Sequence, residues 1–233
     1  MIGCGGGDPV KPPPAFTLTL LSTDSLSIAE PSDLTINPKG TALWTVTNNP
    51  ARVYKLDLHG RVTKRLNYHG VDLEGIAYDV SDSTLWVAEE VQRAIVHLDL
   101  DGNVLSRTLI DLPGEPNHGP EGLCLNAAHQ MFVLNEQNPG MFVELNPDLT
   151  ILRREILSFA QDYSGLAARP FADQYWIVSD LDQKLILWNK QSGVIGEQSL
   201  PYPKAEGVAC NEAAHLIYII SDSEQKLYTY RVD

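Results

Sequence analysis

Basic side chains are in short supply: Lys and Arg number 17 against 30 Asp and Glu, a formal charge of −13. Such a surface repels a phosphate backbone, which argues against nucleic acid as a partner. Cysteine is scarcer still. Cys4, Cys124 and Cys210 form neither a CxxC pair nor a zinc spacing, and an odd count gives no disulfide framework. Cys124 and Cys210 follow the preceding glutamate by three and four residues, so strand alternation sends them to opposite faces; both read as small buried hydrophobes. No apolar run reaches 18 residues, which excludes a membrane-spanning helix. Helical periodicity is essentially absent. GxSxG, P-loop, GxGxxG and HExxH patterns are also missing, which argues against serine hydrolase, NTPase, Rossmann and zincin chemistry.

What is present is repetition. The centres of "LWTV" (Trp44), "LWVA" (Trp86), "MFVL" (Phe132), "YWIV" (Trp176) and "IYII" (Tyr218) lie 42, 46, 44 and 42 residues apart. Each copy runs from a short strand through a polar turn to this aromatic strand, and then to a third alternating strand such as "RVYKLDL" or "AIVHLDL". In most copies a turn and a fourth strand follow, as in "DGNVLSRTLI". Period-2 alternation broken by Asp-Gly, His-Gly and Ser-Gly signals antiparallel hairpins. Four strands in about 42 residues match a propeller blade. The expected fold is therefore all-β, a single propeller of five four-stranded blades over residues 16–233. The fifth copy stops after three strands, and "AFTLTLLST" from Ala15 is left unassigned. This N-terminal strand is expected to complete the last blade and close the ring.

The first strand of a blade lines the channel and the second runs back, so the start of one and the end of the other share a face. At the first-strand start the copies carry Ser32, Glu74, Glu121, Ser164 and Glu206; at the second-strand end, Asn48, Glu90, Glu136, Asp180 and Asp222. Seven of these ten are acidic. Asp and Asn at strand ends also suit turns, and the glutamates also suit backbone N–H groups at a crowded inner edge. Converging on one mouth, however, like charges raise each other's pKa unless a cation neutralises them. Hard oxygen donors in a loose ring suit calcium better than zinc. The expected metal site comprises Glu74, Glu121, Glu206, Ser164, Glu90 and Glu136. The loops "HGVDLEG" and "NHGPEG" bring His69, Asp72, Asn117 and His118 near, and "LPGEPNHGP" is long enough to overhang the mouth. Gly75, Gly122, Gly165 and Gly207 follow ring positions directly, as expected of strands crowded around an axis.

The N-terminal "MIGCGGGDPVKPPP" resembles a bacterial lipobox cysteine followed by a flexible spacer. Residues 1–15 thus read as a tether, with Cys4 as a candidate lipid anchor, or as a tail with an incidental cysteine.

In register, the motifs "DLEGIAYD", "VAEEVQRAIVHLDL", "PEGLCL", "LNEQNPGMFVEL", "DYSGLAA", "GVIGEQSL" and "KAEGVA" resemble the SdiA-regulated family, also described as YjiK/CarP-like proteins, over nearly the whole chain after Phe16. The resemblance implies an exported β-propeller, frequently behind a signal or anchor, with calcium association and no firmly established reaction. The family's Glu-Gly motifs map onto Glu74, Glu121 and Glu206, and "DYSG" onto Ser164. The first copy departs from the pattern, reading "PSDL", so that Asp33 stands where the motif has glycine. The leading expectation is a monomeric, calcium-binding propeller of the cell envelope, periplasmic or anchored to the outer membrane. It would act as a binding or sensing module for a small-molecule or protein ligand at the channel mouth. The alternatives are a calcium-dependent hydrolase, a phytase-like phosphoesterase or lactonase, at the same mouth, and a protein–protein platform without site chemistry.

Overall fold

The computed structural model describes residues 15–115, 117–169 and 173–233. The expected tether up to residue 14, including Cys4, lies outside the described residues.

Five four-stranded antiparallel sheets make up the molecule. The first blade holds β2 (Pro31–Ile36), β3 (Leu43–Asn48), β4 (Ala51–Leu56) and β5 (Val62–Arg65). The second holds β6 (Leu73–Asp79), β7 (Thr84–Glu89), β8 (Ala94–Leu98) and β9 (Val104–Leu109). The third holds β10 (Pro120–Leu125), β11 (Met131–Asn135), β12 (Met141–Leu145) and β13 (Ile151–Ile156). The fourth holds β14 (Gly165–Arg169), β15 (Gln174–Ser179), β16 (Lys184–Asn189) and β17 (Gly193–Ser199). In the fifth, β18 (Ala205–Asn211), β19 (Leu216–Ser221) and β20 (Lys226–Val232) are completed by β1 (Leu18–Ser25). β1 pairs antiparallel with β20, and Thr17 and Asp233 exchange backbone hydrogen bonds of 2.9 and 3.1 Å.

The pairing explains the aromatic ruler. Trp44, Trp86, Phe132, Trp176 and Tyr218 lie opposite Thr35, Ala77, Cys124, Ala167 and Ala209 on the inner strands. A large ring thus meets a small side chain where the strands converge on the axis. The core is divided into five apolar clusters, each between neighbouring sheets; the seam that closes the ring joins Leu34, Leu43 and Leu56 to Tyr218, Ile220 and Leu227. Apolar burial therefore lies in the seams between blades.

The inner glycines are required by close approach. A Cβ on Gly75 would lie 2.8 Å from the Glu121 carbonyl oxygen, one on Gly165 2.5 Å from that of Glu206, and one on Gly207 2.6 Å from the Asp33 Cα. Cys124 is buried, as expected, whereas Cys210 is half-buried with its Sγ 3.4 Å from Glu212 Oε2. Among the described residues no helix is long and apolar enough to cross a membrane.

Candidate functional site

Where the inner strands begin, a cavity of about 210 Å³ opens on the channel axis. Its geometry starts in the strand register. In four blades the pairing of inner and second strand shifts around the residue at the channel edge: between Pro31 and Asp33, Leu73 and Gly75, Pro120 and Leu123, and Ala205 and Gly207. A bulge re-aims the side chain it carries. Ser32, Glu74, Glu121 and Glu206 sit in these bulges, and all four line the cavity. Ser164 precedes β14 and lines it too, its hydroxyl 3.5 Å from Asp162 Oδ2.

From the second-strand ends, Asn48, Glu136, Asp180 and Asp222 reach the same cavity. Glu90 is buried beside it and completes two groups of carboxylates whose oxygens lie within 4.8 Å of one another: Asp72, Glu74 and Glu90, and Glu90, Glu121 and Glu136. Four of the six expected site residues, Glu74, Glu90, Glu121 and Glu136, belong to these groups; Glu206 and Ser164 share the cavity wall, Ser164 through a hydroxyl engaged with Asp162. These acids also hold blades together. Glu90 accepts the Gly119 N–H at 2.9 Å, and Asp180 that of Lys204 at 2.8 Å, each across a seam.

Of a third ring, the sequence pointed only to Asp72. Two residues before each edge position stand Glu30, Asp72, Gly119, Asp162 and Lys204. Glu30, Asp162 and Lys204 line the cavity. Asp162 is tied down by the Ser179 hydroxyl and by the Leu181 N–H, 3.1 Å from both its oxygens. Lys204 Nζ lies 3.2 Å from Asp180 Oδ2 and 3.4 Å from Glu206 Oε1. The signal was present, since all five lie at a constant offset, but a loop has no periodicity to draw attention to it.

The electrostatics follow from burial and crowding. Burial pushes Glu74 up to about 8, against hydrogen bonds from Ser32 and Asn48, while Asp72 and Glu90 add repulsion. Glu90 is pushed up to about 7 by burial, although the Gly119 N–H opposes this. Burial also takes Glu206 to about 7, with Lys204 opposing. Glu121 is held well above the usual carboxylate range by burial and then by repulsion from Glu74, Glu206, Glu90 and Glu136. Glu136 is raised by burial but relieved by Gln137, by His118 and, least, by Lys204. His118 stands beside the mouth, its Nδ1 3.4 Å from Asn138 Nδ2, and His69 is exposed. Among the described residues, none of the loop before Gly119 lines the mouth.

Asp33 lies on the partition of the channel: Ser32 lines the acidic cavity, and Leu34 lines an apolar one of about 380 Å³ at the other end. It is fully buried, and its carboxylate accepts N–H bonds from Leu34 at 2.7 Å and Ile76 at 2.9 Å.

The model of the SdiA-regulated family matches residues 16–231. Among solved structures, the chain is similar to Myxococcus xanthus glutaminyl cyclase at 14% identity, covering 93% of this chain and 96% of that one, with a TM-score of 0.74. It is similar to Staphylococcus aureus virginiamycin B lyase at 16% identity, covering 91% and 73%, with a TM-score of 0.52. A protein of unknown function from Bacteroides caccae matches at 14% identity over 82% and 70%, with a TM-score of 0.57. At these identities the likeness establishes the fold.

Proposed function

This chain belongs to the SdiA-regulated family, and from that premise we propose that it is a calcium-binding propeller that acts as a binding or sensing module. One observation carries the reading: two carboxylate triads share Glu90 in the channel mouth, and within each triad one oxygen from every residue lies within 4.8 Å of the others. Three acids at that separation are mutually repulsive in a partly buried site, and a divalent cation relieves the repulsion at once. The donor set fits calcium. The cavity wall offers carboxylate, hydroxyl and amide oxygens and no His or Cys among the described residues, the chemistry of a hard cation with six to eight oxygen ligands. Asn48 adds a buried Oδ1 without a hydrogen-bond partner among the described residues. Asp72, Glu74, Glu90, Glu121 and Glu136 would hold the ion, which would supply charge neutralisation and a docking point for a ligand at the mouth. Calorimetry on chelator-stripped protein tests this. Calcium binding that is lost when Glu74, Glu90 and Glu121 are changed together to Gln supports it; no binding by the wild type sinks it.

A second reading, catalysis at the same mouth, is favoured by the values near neutrality of Glu74, Glu90 and Glu206, which suit general acid–base work. It covers calcium-dependent hydrolysis of phosphoesters or lactones, and also glutaminyl cyclisation, the activity in the name of the Myxococcus xanthus protein of the same fold. Turnover of any of these substrates, lost in the same triple variant, would support it. Placement in the cell envelope rests on Cys4 and is tested by metabolic labelling with a lipid analogue.

A further inference from the structure

We propose that Lys204 is a tethered counter-cation that restricts the mouth to one metal ion, seated off the axis beside the second and third blades. This rests on the cation reading above and adds to it the number and position of the ions.

The argument comes from the fivefold register. In the second blade, Asp72, Glu74 and Glu90 form a carboxylate triad. The same three positions in the fifth blade hold Lys204, Glu206 and Asp222. The two loops are built alike. Asp72 and Lys204 have φ of 54° and 53°, and their carbonyls accept the N–H of Glu90 and Asp222 respectively, at 2.9 Å in both cases. The backbone therefore delivers an ammonium to the fifth blade at the place where it delivers a carboxylate to the second.

That ammonium is engaged. Lys204 Nζ contacts both Asp180 of the fourth blade and Glu206 of its own, while its backbone N–H fixes the other oxygen of Asp180. Among the described residues, neither carboxylate triad includes Asp180, Glu206 or Asp222, although all three line the mouth. Their negative charge is already matched in part by a covalently held cation, and like charge repels a metal ion from that half. The second and third blades have no such residue in their triads, and metal binds there.

The test counts ions. Stripped wild-type protein, Lys204→Asp and Lys204→Met are titrated with calcium and read by native mass spectrometry and calorimetry. Asp suits the left-handed backbone that Asp72 already adopts, and Lys204 is half-exposed, so circular dichroism is expected to report unchanged folding; Lys204→Glu provides a second charge reversal. The expected counts are one ion for the wild type, two for either charge reversal, and one for Lys204→Met, bound several-fold more tightly than by the wild type. Two ions in the wild type, one in both folded charge reversals, or no gain in affinity for Lys204→Met overturns the role of Lys204 while leaving the cation site standing. No ion in the wild type overturns the cation reading itself.

Discussion

Asp33 and Ile76 are joined across a blade seam: the carboxylate of Asp33 accepts the Ile76 N–H at 2.9 Å, 43 residues further along the chain. Its other oxygen accepts the N–H of Leu34 at 2.7 Å. The residue that breaks the glycine pattern thus supplies, with its side chain, a link between the first and second blades.

Replacing Asp33 with Ala leaves two buried N–H groups without acceptors. An unsatisfied buried donor costs about 1–3 kcal/mol, so the expected loss is roughly 2–4 kcal/mol, read as a lower urea midpoint. Asp33→Asn keeps one acceptor and is expected to lose about half as much. An Ala variant as stable as the wild type would contradict the link.

Stability of the metal-free protein should depend on pH through the mouth. Glu74, Glu90 and Glu206 have folded values of about 8, 7 and 7 against an ordinary 4.5. A raised carboxylate favours the folded state while it keeps its proton. That contribution is complete below about pH 4.5 and is lost as the pH rises through 7 to 8. Stripped protein should therefore lose stability steadily from about pH 5 to pH 8, read as a falling melting temperature. Saturating calcium should flatten the profile, since the ion binds the ionised form. Melting curves at pH 5, 6.5 and 8 with and without calcium decide the matter.

Glu121 and Glu206 should behave differently although they occupy equivalent positions. Glu121 is repelled by four neighbouring carboxylates, whereas Glu206 is opposed by Lys204. Glu121→Gln is expected to stabilise the stripped protein at pH 8 by about 1–2 kcal/mol while weakening calcium binding at least roughly tenfold, a loss of about 1.4 kcal/mol. Glu206→Gln should weaken binding less, by no more than several-fold, because it removes charge near the ion but no ligand. Equal losses of affinity in the two variants would contradict an off-axis ion.

Glu89, one residue before Glu90, supports the loop that carries Asp72. Its Oε1 accepts the Tyr68 hydroxyl at 2.8 Å and the Val71 N–H at 3.1 Å, while Oε2 accepts two hydrogen bonds from Arg107. Glu89 is 3% exposed. Because Arg107 is partly solvated, Glu89→Ala is expected to cost about 2–3 kcal/mol rather than the full penalty of a broken buried pair. It should also weaken calcium binding without removing a ligand. Chemical denaturation and calorimetry on the same variant separate the two effects.

The blades were legible because an aromatic opposite a small inner-strand residue recurs in every copy. The fourth strand of the third blade, Ile151–Ile156, was harder to see. Its "RRE" centre masks the alternation, and its turn places Leu149 at φ 64° where the turns of other blades use Gly60, Gly102 or Gly193. The first two acidic rings were legible from topology, since strand starts and ends must meet at one mouth. Two features were not: that bulges aim the glutamates, and that Lys204 matches charge on one side. Both depend on loop conformation, to which hydrophobic periodicity is blind.

The pairing of β1 with β20 also has a consequence for synthesis on the ribosome. Four seams can form in order as the chain emerges, but the outer strand of the fifth blade is made first and must wait for its partner to be made last. Until then Leu34, Leu43 and Leu56 lack the Tyr218, Ile220 and Leu227 that cover them. A nascent chain therefore carries an open apolar flank until translation of its last strand, the interval in which a holdase chaperone would be most needed.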